Sequence, residues 1–156
     1  MLTIKKNKVP VKMPPSDTIY LLGGTDLVDM EIKSDFDWIT LSNAGLKKAS
    51  LDSLIGHLGM SKKAFTENIL NLSVKTFERK KSNDLLDKRT SSHIIEIAKV
   101  VEHVFAVFDD EDTVKRWLNK PNRALNLMKP IDLFETPTGL DLVNRILGRI
   151  EEGVYT

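Results

Sequence analysis

"SSHIIEIAKVVEHVFAVF", residues 91–108, is the stretch that decides the fold. Ile94, Ile97, Ala98, Val101, Phe105 and Phe108 fall on one side of a 3.6-residue repeat, which predicts one long amphipathic helix with a single apolar stripe. A stripe of that kind must be covered by other elements. The flanking sequence offers helices to cover it, because runs of strict apolar–polar alternation are few. The expected fold class is all-α.

Upstream of that helix, Leu51, Leu54, Ile55 and Leu58 recur at helical spacing, and Gly59 follows as a stop. Ser61 is placed to cap a second segment holding Phe65, Ile69 and Leu70, and Ser73 to cap a third holding Phe77. Short helices with short connections are therefore expected. Between Thr18 and Thr40 the apolar residues are irregular; Gly23-Gly24 reads as a break, and Ser34-Asp35 as a helix start before Phe36, Trp38 and Ile39. The first 16 residues carry four lysines, three prolines and no acid, which reads as a basic arm.

Downstream, "FDDEDT" (residues 108–113) marks a boundary, its acids suited to a solvated helix start. Val114, Trp117 and Leu118 continue a helix that Pro121 must end. Thr136 is a candidate N-cap with Pro137 at the first helical position, and Leu140, Val143, Leu147, Ile150 and Val154 then form one seam at spacings of 3, 4, 3 and 4. The expected division is residues 1–40 as the arm and a weakly patterned segment, 41–108 as a first helical unit, and 109–156 as a second.

Composition narrows the function. In 156 residues, 41% are hydrophobic, enough for a packed core, and 23 Lys and Arg against 22 Asp and Glu leave no global field to announce a nucleic acid. There is no cysteine, so neither disulfides nor thiolate metal sites are available, and no run of about 18 apolar residues appears. A cytoplasmic protein with no membrane partner is expected. His57, His93 and His103 share no metal-ligand spacing, and no phosphate loop or nucleophile–base set is visible; no catalytic residue, metal or cofactor is assigned.

A basic local patch does stand out. From Lys62 to Arg89 eight basic residues face four acidic ones. "SKKAFTENILNLS" followed by "VKTFERKKS" has the makings of a helix-turn-helix, in which one side of the second helix enters the core and the other meets phosphates and base edges. Phe77 is the core anchor of that reading, and Ser73, Lys75, Thr76, Arg79, Lys80 and Lys81 are the candidate DNA-binding residues.

Three later blocks carry a more specific signal: "WLNKPNRAL" (117–125), "KPIDLFET" (129–136) and "LGRIEEGVYT" (147–156). In order and spacing they resemble the toxin-binding domain of the Xre/MbcA/ParS antitoxins, whose pattern is roughly W-L-x-x-P-N-x-A-L, then P-L-D-L-L-x-T, then L-G-R-I-E-x-G-V. The family has two glycines after "AL", where this chain has Asn126 and Leu127. "ILNLSVKTFERKK" is similar to the family's Xre-like helix-turn-helix, with Glu67 where a small residue is usual and Asn71 in place of the turn glycine. Asn71 is still able to take the left-handed conformation.

The resemblance implies an Xre-like helix-turn-helix domain followed by a small helical toxin-binding domain. It further implies an antitoxin that inhibits a RES-domain toxin, one that consumes NAD or transfers ADP-ribose from it. Dimers within a larger toxin–antitoxin complex and binding to operator DNA belong to the same implication. The toxin-binding residues are expected to be Trp117, Asn122, Arg149, Ile150, Glu151, Gly153 and Val154, which match the family pattern, and Tyr155 and Thr156, which follow it at the apolar end of the chain. Their chemistry is compatible: Arg149 offers a planar fork for a carboxylate or a phosphate site, Tyr155 a rigid contact, and Gly148 inside a helix, costing about 0.5–1 kcal/mol relative to Ala, suits close approach by a neighbour. The competing reading is a stand-alone helix-turn-helix regulator whose C-terminal half only dimerises.

Overall fold

The structure, a computed structural model, describes residues 17–153. Its helices are α1 (Asp17–Leu21), α2 (Asp35–Ala44), α3 (Lys48–Gly56), α4 (Lys62–Ala64), which runs into a π-helical turn (Phe65–Ile69), α5 (Val74–Glu78), α6 (Lys88–Phe108), α7 (Glu111–Leu118) and α8 (Pro137–Glu151), with 3-10 turns at Arg123–Leu125 and Pro130–Glu135. No strand occurs among the described residues, where only two isolated bridges form, Lys47 with Leu85 and Asn122 with Met128. The fold is all-α, as the sequence predicts.

α6 organises the rest. It begins at Lys88, three residues before the expected start at Ser91, because the Asp87 carboxylate accepts the Thr90 N–H at 2.7 Å and so caps the first turn. Ile94, Ile97, Ala98 and Val101 are fully buried, while Phe105 and Phe108 lie half-buried at its edge. α1, α2, α7 and α8 all pack on it, and one apolar core extends from Ile19 to Leu147. Each Leu or Ile removed from water there contributes about 1.5–3 kcal/mol.

The irregular segment near the N-terminus enters that core. Ile19, Leu21, Leu22 and Val28 are buried, the Thr18 hydroxyl donates to the Glu102 carboxylate of α6, and Gly23 and Gly24 turn the chain with φ of 105° and 80°. A five-residue helix and a glycine turn leave no period to detect.

The helix boundaries follow the capping chemistry with two corrections. Ser34 forms a capping box with Asp37, the Ser61 hydroxyl accepts the Ala64 N–H, and the Thr136 hydroxyl accepts the Gly139 N–H at 3.0 Å. Ser73 sits at the N-cap of α5, but its side chain makes no capping bond, and the residue is exposed. α3 ends at Gly56 rather than at Leu58, and Gly59, at φ 69°, makes the turn that follows. Between α6 and α7, Asp109 takes φ 69° and Asp110 caps the new helix through Thr113. No helix among the described residues is long and apolar enough to cross a membrane.

Candidate functional site

The C-terminal surface is built from α7, the two 3-10 turns and α8. Val114 and Leu118 are buried under α7, and half-buried Trp117 packs on Phe108 with ring centroids 5.2 Å apart. Past Pro121 the Asn122 carboxamide accepts the Ala124 N–H at 2.9 Å, while the Asn122 backbone pairs with Leu127 and Met128. Trp117 and Asn122 thus have structural work within the chain. Asn126 and Leu127 both adopt the left-handed conformation, φ 61° and 67°, so the loop keeps a glycine-like geometry without glycine, with Leu127 exposed. In the second turn Ile131 and Phe134 are buried, and the Phe134 carbonyl accepts a hydrogen bond from His93 Nε2 at 2.9 Å.

α8 buries Leu140, Val143 and Leu147, and Ile150 is half-buried at the end of the seam. Its outward face carries Arg145, paired with Asp141 at 2.8 Å, and exposed Arg149, which enters no ion pair among the described residues. Glu151 is exposed but tethered: its carboxylate lies 2.9 Å from His103 Nε2, and His103 Nδ1 lies 2.9 Å from Asn144 Oδ1. Gly153 leaves the helix with φ 79°. Val154, Tyr155 and Thr156 lie outside the described residues. The sequence did not single out the His103 bridge, since helical periodicity tells which side a residue faces and not what stands across from it.

The two glycines of α8 have distinct surroundings. A Cβ at Gly139 would collide with the backbone carbonyl of Leu133, so this is the position where close backbone approach requires glycine. At Gly148, expected to admit a neighbour, an added Cβ would point into open space, with no other part of the described chain within 4 Å.

The DNA-binding candidates lie in and around α5. Phe77 is buried, while Ser73, Lys75, Thr76, Arg79 and Lys81 are exposed and Lys80 is half-buried. Asn71, at φ 57°, takes the left-handed conformation in the turn before α5, and its amide donates to the Glu135 carboxylate at 2.8 Å. α5 itself is only five residues long.

Electrostatics tie α3 to α7. His57 Nδ1 lies 3.0 Å from the Glu111 carboxylate, which also pairs with Lys115 at 3.2 Å. Burial pushes the Glu111 carboxyl up, but the hydrogen bonds and charges of His57 and Lys115 outweigh it and leave the group below its ordinary value. The Asp110 carboxyl is lowered as well, first by the Thr113 N–H and then by the Thr113 hydroxyl.

Residues 103–153 match the family described as the antitoxin Xre/MbcA/ParS C-terminal toxin-binding domain. A protein named Prs ADP-ribosylating antitoxin, from Sphingobium sp., is 28% identical over 132 residues, covering 78% of this chain and 82% of that protein. Antitoxin Xre from Photorhabdus laumondii is 32% identical over 68 residues, covering 42% of this chain and 45% of the relative. These likenesses define the class, an antitoxin with a C-terminal toxin-binding domain. They liken the chain, most closely through residues 103–153, to the Xre/MbcA/ParS-type antitoxins.

Proposed function

We propose that this antitoxin inhibits a RES-domain toxin acting on NAD, by laying the segment from Arg149 to Thr156 over the toxin's active site. The observation that carries the reading is the end of α8. Leu147 holds the helix in the core, His103 holds Glu151, and exposed Arg149 has no ion-pair partner among the described residues, so α8 offers a fixed base up to its last turn. A fixed base lowers the ordering cost of binding, and each large apolar side chain covered by the toxin contributes about 1.5–3 kcal/mol before that cost is deducted.

In this reading Trp117 and Asn122 shape the adjoining surface, and the toxin holds the chemistry. Residues 41–108 act as an Xre-like helix-turn-helix domain and residues 109–156 as the toxin-binding domain, with homodimers inside a larger complex in the cytoplasm. Exposed Lys75, Arg79 and Lys81, with half-buried Lys80, favour a second role, autoregulation through operator DNA, since phosphates are met by lysine and arginine on an open face.

The test is to mix purified antitoxin with a RES-domain toxin taken from the reading frame next to its gene, if one is found there, and follow NAD. Consumption should stop near stoichiometric antitoxin. Unchanged NAD loss together with tight, salt-sensitive promoter binding would instead favour a stand-alone regulator.

A further inference from the structure

An open groove of about 1060 Å³ runs between α6 and the first half of α8. The two helices point the same way, since His93 meets Phe134 at one end and His103 meets Asn144 at the other. Val100, Pro137 and Leu140 line the groove, and Ser92 stands exposed midway along the α6 wall. Its far end is bounded by the His103–Asn144–Glu151 bridge, and one turn beyond Asn144 on the same side lies open Gly148.

The charges along the groove are unevenly used. Lys99 is paired with Glu96 at 3.2 Å and lies over the Trp38 ring, Asp141 is paired with Arg145, and Glu135 accepts from Asn71. Lys88 and Arg89, at the entrance, make no ion pair among the described residues. The site is thus a trough with apolar walls at Val100, Pro137 and Leu140 and, at one end, two cations, Lys88 and Arg89, against one carboxylate, Glu135.

We infer that this groove receives a segment of the toxin that is apolar along its length and acidic at the end nearest Lys88 and Arg89. Two observations select the toxin as occupant. One wall is α8, which lies within the match to the toxin-binding domain at residues 103–153, so the groove adjoins the part of the chain that the proposed reading gives to that partner; the two cations at the entrance, without an ion pair among the described residues, call for an acidic group. The toxin contact then extends beyond the matched domain onto α6. This inference rests on the proposed antitoxin reading, and its test separates the two.

Calorimetry of the full antitoxin against the toxin would compare three variants: Ser92→Trp, which fills the groove from an exposed position; Lys88→Glu with Arg89→Glu; and a chain ending at Glu152. Both groove variants should raise Kd at least tenfold while keeping the parent's thermal unfolding, and the charge reversal should lose its effect at high salt. Unchanged Kd in both, with weakened binding by the shortened chain, overturns the groove and leaves the antitoxin reading standing. Unchanged Kd in all three overturns the groove and the blocking tail together. Loss of self-association or of DNA binding, with toxin affinity intact, assigns the groove to a second copy or to nucleic acid and equally overturns the inference.

Discussion

His103 Nε2 stands 2.9 Å from the carboxylate of Glu151, so the C-terminal part of α6 is fastened to the last turn of α8. The pair is partly exposed, 28% and 47% for the two side chains, which limits its worth to about 0.5–1.5 kcal/mol. Its value lies in placement. His103→Ala should lower stability to urea by that modest amount, yet markedly reduce amide exchange protection from Gly148 to Glu152. Unaltered protection there would show that the seam alone fixes the end of α8.

The glycines of α8 should respond in opposite directions. Gly139→Ala forces a Cβ against the Leu133 carbonyl and should cost about 1–3 kcal/mol, read as a fall in Tm. Gly148→Ala enters open space inside a helix and should stabilise the free antitoxin by about 0.5–1 kcal/mol. If Gly148 faces the toxin, the same alanine weakens binding while raising Tm.

Acid should loosen the joint between α3 and α7. The Glu111 carboxyl is lowered in the fold, so its contribution is complete above its unfolded value of 4.5 and is lost as pH falls through the lower folded value. Glu111→Gln should therefore flatten the decline of stability below about pH 4.5, measured by urea unfolding across pH. An identical slope in parent and variant would assign acid sensitivity elsewhere, for instance to the Asp110 cap.

The basic surface around α5 should be separable from toxin binding. Replacing Arg79, Lys80 and Lys81 with alanine should weaken promoter binding and reduce its salt dependence while toxin neutralisation persists, because these residues lie outside the matched residues 103–153. Equal promoter affinity of variant and parent would remove this surface from the DNA reading.

The sequence revealed what has a period. The α6 stripe, the α8 seam and the Thr136–Pro137 start are legible because burial repeats every three or four residues and caps use few residue types. α1 escaped because five residues cannot display a period, although Ile19 and Leu21 are buried. The surface bridging residues escaped for another reason: His103 and Glu151 are 48 positions apart, and nothing local says that they meet. Asn126 and Leu127 show the limit of reading residue types. A left-handed leucine costs about 1–2 kcal/mol, yet the backbone pairing of Asn122 with Leu127 and Met128 holds the loop in that shape.

The blocking tail is the central claim, and its direct measurement is toxin activity in cells expressing the toxin with an antitoxin lacking residues 153–156. The account predicts that this chain keeps the parent's helical circular dichroism, because the α8 seam is anchored by Leu140, Val143 and Leu147, and yet fails to prevent NAD loss. Full suppression of the toxin by the shortened chain would contradict it, and would move inhibition to another surface or to caging by assembly.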